Sequence, residues 1–145
     1  MRLIRLTLLT HMLSHAALWI TALIMLLSGW SEQSAAGQWY QVLSGALIIH
    51  LGSYHWVMAQ WQEDLCEQRR WPSSIYTALA TLVLGILVLM FPTIAVYCVL
   101  LAVGLLLWQE SWGAIAAYIQ PWYLRLRWLQ MISLVLTQSL VLLLV

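Results

Sequence analysis

Long apolar runs alternate with short polar breaks along this chain, and the runs define its elements. The first covers about residues 6–30 and ends at the turn-forming Ser31-Glu32-Gln33-Ser34. The second covers about 39–60 and stops at the densest charge cluster, Glu63, Asp64, Glu67, Arg69 and Arg70, which reads as a loop that also holds Cys66. Pro72-Ser73-Ser74 opens the third, with proline where a helix start tolerates its missing N–H. From Ser73 to Gln109 the chain stays apolar, and as one helix that stretch would reach about 55 Å, too long for a bilayer core of about 30 Å. Phe91-Pro92-Thr93 is the breaker within it, so it divides into 73–90 and 94–109, joined by a tight hairpin that either crosses fully or re-enters. The last run covers 128–145. Before it, Ile115, Tyr118, Ile119, Trp122 and Tyr123 recur every three to four residues within 111–123, the spacing of a short amphipathic helix in the headgroup plane or of an aromatic loop. The pattern predicts an all-α, polytopic membrane protein: one transmembrane domain over 1–145, a bundle of about five transmembrane helices.

Composition supports this reading. The chain is 63% hydrophobic and 8% charged, against about 25% charged in a soluble domain. Five spans of about 20 residues use most of the 145, which leaves no room for a soluble catalytic module. A net charge of +1 offers no basic patch for nucleic acid; the expected partners are the lipid bilayer and other membrane protein subunits. Cys66 and Cys98 fall at different depths, so no disulfide joins them. The first apolar run exceeds the core of a signal peptide, which predicts a retained helix rather than cleavage after Ser34-Ala35-Ala36.

Charge sets the orientation. All six basic residues are arginines: Arg2 and Arg5, Arg69 and Arg70, Arg125 and Arg127. In a five-span layout they share one side, so the N-terminus is cytoplasmic and the C-terminus lies across the membrane. Trp30, Trp39 and Tyr40 then form an outer aromatic belt, and Trp61, Trp71, Trp108, Trp112, Trp122, Tyr123 and Trp128 an inner one.

Ionisable groups at membrane depth are costly and point to function, which singles out the four histidines. Counted from Arg5, His11 is about 9 Å deep and His15 about 15 Å; counted back from Trp61, His55 is about 9 Å and His50 about 16 Å. The pairs match level by level, as ligands of a haem, copper or iron site would. Helical geometry prevents all four from facing one point, since His50 and His55 diverge by about 140°. Gly45, Gly52 and Ala59 recur every seven residues as a smooth stripe for a close helix neighbour. His55 lies about 60° from that stripe and His50 about 160°, so His55 faces inward, with His11 its expected partner. The alternatives are buried structural histidines held by hydrogen bonds, a metal or haem site, and a proton relay; no metal or phosphate motif favours the second. On the last span Gln130, Ser133, Thr137 and Gln138 share a face that reads as helix-to-helix hydrogen bonding. Glu110 is expected to pair with Arg125 or Arg127 at the headgroup level.

Two stretches resemble the transmembrane protein 69 family, catalogued as domain of unknown function 3429. Residues 45–56, Gly-Ala-Leu-Ile-Ile-His-Leu-Gly-Ser-Tyr-His-Trp, are similar to its small-apolar helix running into Leu-Gly-Gly-x-His/Arg-Trp-Gly. Residues 121–127, Pro-Trp-Tyr-Leu-Arg-Leu-Arg, are similar to its Pro-x-Trp-Tyr-x-x-Leu-Arg. Ser53 and Val57 stand where that family has glycine, and Gln130 where it has threonine, the marks of a divergent member. The resemblance implies a multi-helix protein of the bacterial inner membrane or of mitochondria, and carries no activity, substrate or cofactor. The expected function is a non-enzymatic accessory or assembly partner of a larger membrane complex. The alternatives are a haem- or metal-binding redox protein using His11, His55, His15 and His50, and a small oligomeric transporter or channel lined by the last span.

Overall fold

The computed structural model describes residues 2–28, 35–66, 73–112 and 120–144. The fold is all-α. Its helices are α1 (Arg2–Ser28), α2 (Ala35–Cys66), α3 (Ser73–Met90), α4 (Ala95–Trp112) and α5 (Pro121–Leu144), with a 3-10 turn at Pro92–Ile94. By length and composition one helical stretch, Pro92–Ser111, is long and apolar enough to cross a membrane; His15–Leu27 and Ser74–Met90 are shorter apolar helices.

Two helices outrun their apolar stretches. The second run predicts 39–60, whereas α2 continues through Glu63, Asp64 and Cys66, which were expected in a loop. Gln, Glu and Leu are good helix formers and no Gly or Pro intervenes before Pro72, so hydropathy marks where the helix becomes polar and not where it ends. At 32 residues α2 is about 48 Å long. The last run predicts 128–145, yet α5 starts at Pro121, a residue suited to the first helical position, with the Tyr123 and Leu124 N–H groups closing on the Gln120 carbonyl at 3.0 Å each. Ser111 and Trp112 finish α4 and residues 121–123 open α5; residues 113–119 of the interfacial segment expected over 111–123 lie outside the described residues.

The breaker at Phe91-Pro92-Thr93 acts as its chemistry requires. Pro92 has no N–H to give the Val88 carbonyl four residues back, and α3 ends. Gln41 of α2 supplies the missing donor: its Nε2 donates to the Val88 carbonyl at 2.6 Å and to that of Leu89 at 3.2 Å. Gln41→Leu is expected to cost about 1–3 kcal/mol by leaving that carbonyl unpaired, seen as a lower melting temperature of the purified chain.

The small-residue stripe of α2 packs on α3, its closest neighbour in the bundle. A Cβ on Gly45 would come within 2.8 Å of Leu89 Cγ and 3.0 Å of the Gly85 carbonyl, and one on Gly52 would overlap the Thr81 side chain. Glycine here allows backbone-to-backbone approach. One apolar core runs through the bundle, including Leu18 and Met25 of α1, Ile48 and Leu51 of α2, Leu106 of α4 and Leu134 of α5. Tyr40, expected in an outer belt, lies in this core, its hydroxyl beside Ser44 and Thr137 though not aligned for a hydrogen bond.

Candidate functional site

A buried charged cluster forms where α2, α4 and α5 meet. His55 and Glu110 are fully buried and Arg127 is 2% exposed. The Arg127 Nε donates to Glu110 Oε1 at 2.6 Å, and its Nη2 approaches the same oxygen at 2.5 Å while donating to the Leu51 carbonyl at 2.8 Å. His55 Nε2 lies 3.3 Å from that oxygen, within ion-pair reach but off hydrogen-bond alignment. Three nitrogens thus converge on one carboxylate oxygen, and Glu110 Oε2 and His55 Nδ1 meet no hydrogen-bonding group of the protein. The pair is not the two-pronged fork in which guanidinium and carboxylate use both oxygens.

Tyrosines cover the guanidinium. The Arg127 Cζ is 4.7 Å from the Tyr54 ring centre and 5.8 Å from that of Tyr123, and the two rings are 5.1 Å apart. Their negative faces meet the cation, a contact of about 0.5–2 kcal/mol depending on desolvation. Tyr123, expected in an inner belt, is half-buried over this cluster, and Met58, Tyr54 and Leu124 pack around it.

The four histidines are not gathered at one point. His55 faces inward and His50, one and a half turns earlier on α2, lies on the exposed side. His15 is partly buried, and both its ring nitrogens lack a partner in the protein. The His11 side chain lies outside the described residues, so its expected pairing with His55 does too. Among the described residues no three His, Cys, Asp or Glu stand close enough to hold a metal ion. Of the two arginines offered to Glu110, Arg127 takes it, buried between the helices, and Arg125 is exposed.

The polar face of α5 turns toward other helices. Gln130, Thr137 and Gln138 are buried, Gln138 Nε2 donates to Ser44 Oγ at 3.3 Å, and Ser133 Oγ accepts from Trp19 Nε1 of α1 at 2.6 Å. Sequence reasoning missed the His55–Glu110 contact and Gln41. Glu110 closes a long uncharged stretch, a placement that demands a partner, and Pro92 announces an orphan carbonyl. What the cluster can do chemically is hold three helices through Arg127 of α5, which donates charge-assisted hydrogen bonds to Glu110 of α4 and to the Leu51 carbonyl of α2. No family model matches the chain, and neither does any curated protein or solved structure.

Proposed function

We propose that this chain is a multi-pass protein of the bacterial inner membrane, about five spans with its N-terminus cytoplasmic, acting without catalysis as an accessory or assembly partner of a larger membrane complex. The observation that carries this reading is an inverted distribution of polarity. Large apolar side chains point outward from every helix, among them Met12, Leu27, Val57, Tyr97, Trp108 and Leu129, while His55, Glu110, Arg127, Gln130 and Gln138 are packed inside. In water so extensive an apolar exterior would drive association, whereas hydrocarbon accepts it and penalises the buried set if turned outward. The contacts among His55, Glu110 and Arg127 bring the arginine-bearing start of α5 to the end of the bundle where α2 leaves for Arg69 and Arg70, in keeping with a single cytoplasmic side.

Kinship with the transmembrane protein 69 family belongs to the same proposal, and has support in that its two resembling stretches meet at one cluster, through His55 and Arg127 on Glu110. The redox alternative has less support, because His55 is engaged by Glu110 while His50 points outward. A transport route along α5 would have to pass Met131 and Leu134, both fully buried, over the roughly 10 Å between Gln130 and Thr137.

The test is expression of the full chain with reporters at both ends, followed by gentle detergent purification. The expected result is an alkali-resistant membrane fraction, an N-terminal reporter active in the cytoplasm, a C-terminal one active outside, and a colourless, metal-free protein that co-purifies with a fixed set of membrane subunits. Recovery in the soluble fraction would remove the membrane assignment, and a haem spectrum would replace the accessory role with the redox one.

A further inference from the structure

Among the described residues, the buried side-chain nitrogens and oxygens that meet no hydrogen-bonding group of the protein belong, apart from the Tyr40 hydroxyl, to four residues: His15, His55, Glu110 and Gln130. Each stands on a different helix, α1, α2, α4 and α5 in turn. Contacts between the helices set their levels. Arg127 meets Leu51 and Gln138 meets Ser44, so α5 runs antiparallel to α2. Six residues separate α1 from α2, a spacing that makes packed helices antiparallel neighbours, so α1 runs parallel to α5. The bond from Trp19 to Ser133 then fixes their register. His15 lies four residues before Trp19 and Gln130 three before Ser133, each back on the face that makes the contact, about 6 Å and about 4.5 Å along the same direction. Gln130 is also three residues beyond Arg127, and by the two α2–α5 contacts it lies about 5–10 Å along the bundle axis from His55, a gap that one or two hydrogen-bonded waters span.

Native interiors seldom bury such atoms unpaired, and a buried water typically makes about three hydrogen bonds to groups of this kind. The donor and acceptor balance identifies the ligand. Gln130 brings both an NH₂ donor and a carbonyl acceptor, each imidazole brings nitrogens, and Glu110 Oε2 brings an acceptor. A bare cation would satisfy only the acceptors and would meet the Arg127 charge already paired with Glu110. A molecule that both donates and accepts fits the set.

We propose that His15, Gln130, His55 and Glu110 together bind a short file of water in the bundle interior, a hydrated polar site that ties α1 into the Arg127 cluster. It makes one hydrogen-bonded unit of four side chains, so that a change on α1 reaches Glu110. The site stands on burial and register alone, and does not depend on the membrane assignment.

The test is water-edited nuclear magnetic resonance on the full folded chain with ¹⁵N-labelled histidine and glutamine. Magnetisation is expected to pass from water to the Gln130 side-chain amide and to the His15 and His55 rings. Gln130→Leu is expected to abolish the first signal and move the ring ¹⁵N shifts of both histidines. Absence of transfer to Gln130 in the wild-type chain would overturn the proposal, as would a folded Gln130→Leu protein with both imidazoles unmoved. Should Gln130→Leu fail to fold, the wild-type transfer decides by itself.

Discussion

Glu110→Leu is expected to destabilise the fold by about 3–5 kcal/mol. The reason is what it leaves behind. Arg127 stays 2% exposed, with the Leu51 carbonyl and two tyrosine faces around it but no counter-charge. Removing one partner of a buried pair maroons the other, whereas removing both exchanges a costly desolvation for apolar packing. The double variant Glu110→Leu with Arg127→Leu is therefore expected to recover most of the loss. Reversible unfolding of the single and double variants measures this directly, and wild-type stability in Glu110→Leu would mean that Arg127 is not held by charge.

The second large effect is steric. Gly52→Val is expected to cost about 3 kcal/mol, at the upper end for overpacking, because even a Cβ there overlaps the Thr81 side chain across the α2–α3 contact. Thr81 has little freedom to withdraw, since its hydroxyl already donates to the Thr77 carbonyl at 2.8 Å and the Ala78 carbonyl at 3.0 Å. Thr81→Ala should restore part of the stability of a milder Gly52→Ala variant by removing the nearest atom. Gly104 is the control: a Cβ there meets nothing within 4 Å, so Gly104→Ala should lose no stability, and helix propensity favours alanine by up to about 1 kcal/mol. Equal melting temperatures for Gly52→Val and Gly104→Ala would contradict the close approach of α2 to α3.

These two sites also mark how far the sequence could be read. The glycine stripe was legible because close helix packing demands small residues at a regular spacing, and the spacing is written in the chain. The Pro92 break was legible because proline changes the backbone itself. The helix ends were not: Glu63 is polar and yet a good helix former, and no Gly or Pro follows before Pro72, so polarity and helicity part company there. The cluster was half legible. Glu110 needs a cation by electrostatics alone, but the choice of Arg127 over Arg125, and of His55 as the third member, depends on rotation of α5 and on the level at which it crosses α2. Nothing local in the chain encodes either. The packing of Tyr40 in the core and of Tyr123 over Arg127 was not legible for a related reason, since an aromatic residue near a helix end serves equally as a belt or as a lid over a polar group.

The bond from Arg127 to the Leu51 carbonyl joins positions 76 residues apart, while α2 with α3 and α3 with α4 pair neighbours in sequence. Closing so long a loop is entropically the expensive step and comes after the local contacts exist to receive it. Glu110 and the Leu51 carbonyl are both presented by helices made earlier in the chain, so they form a waiting receptor for the C-terminal helix. Assembly is thus expected to have a direction, with α2 to α4 gathering first and α5 captured last.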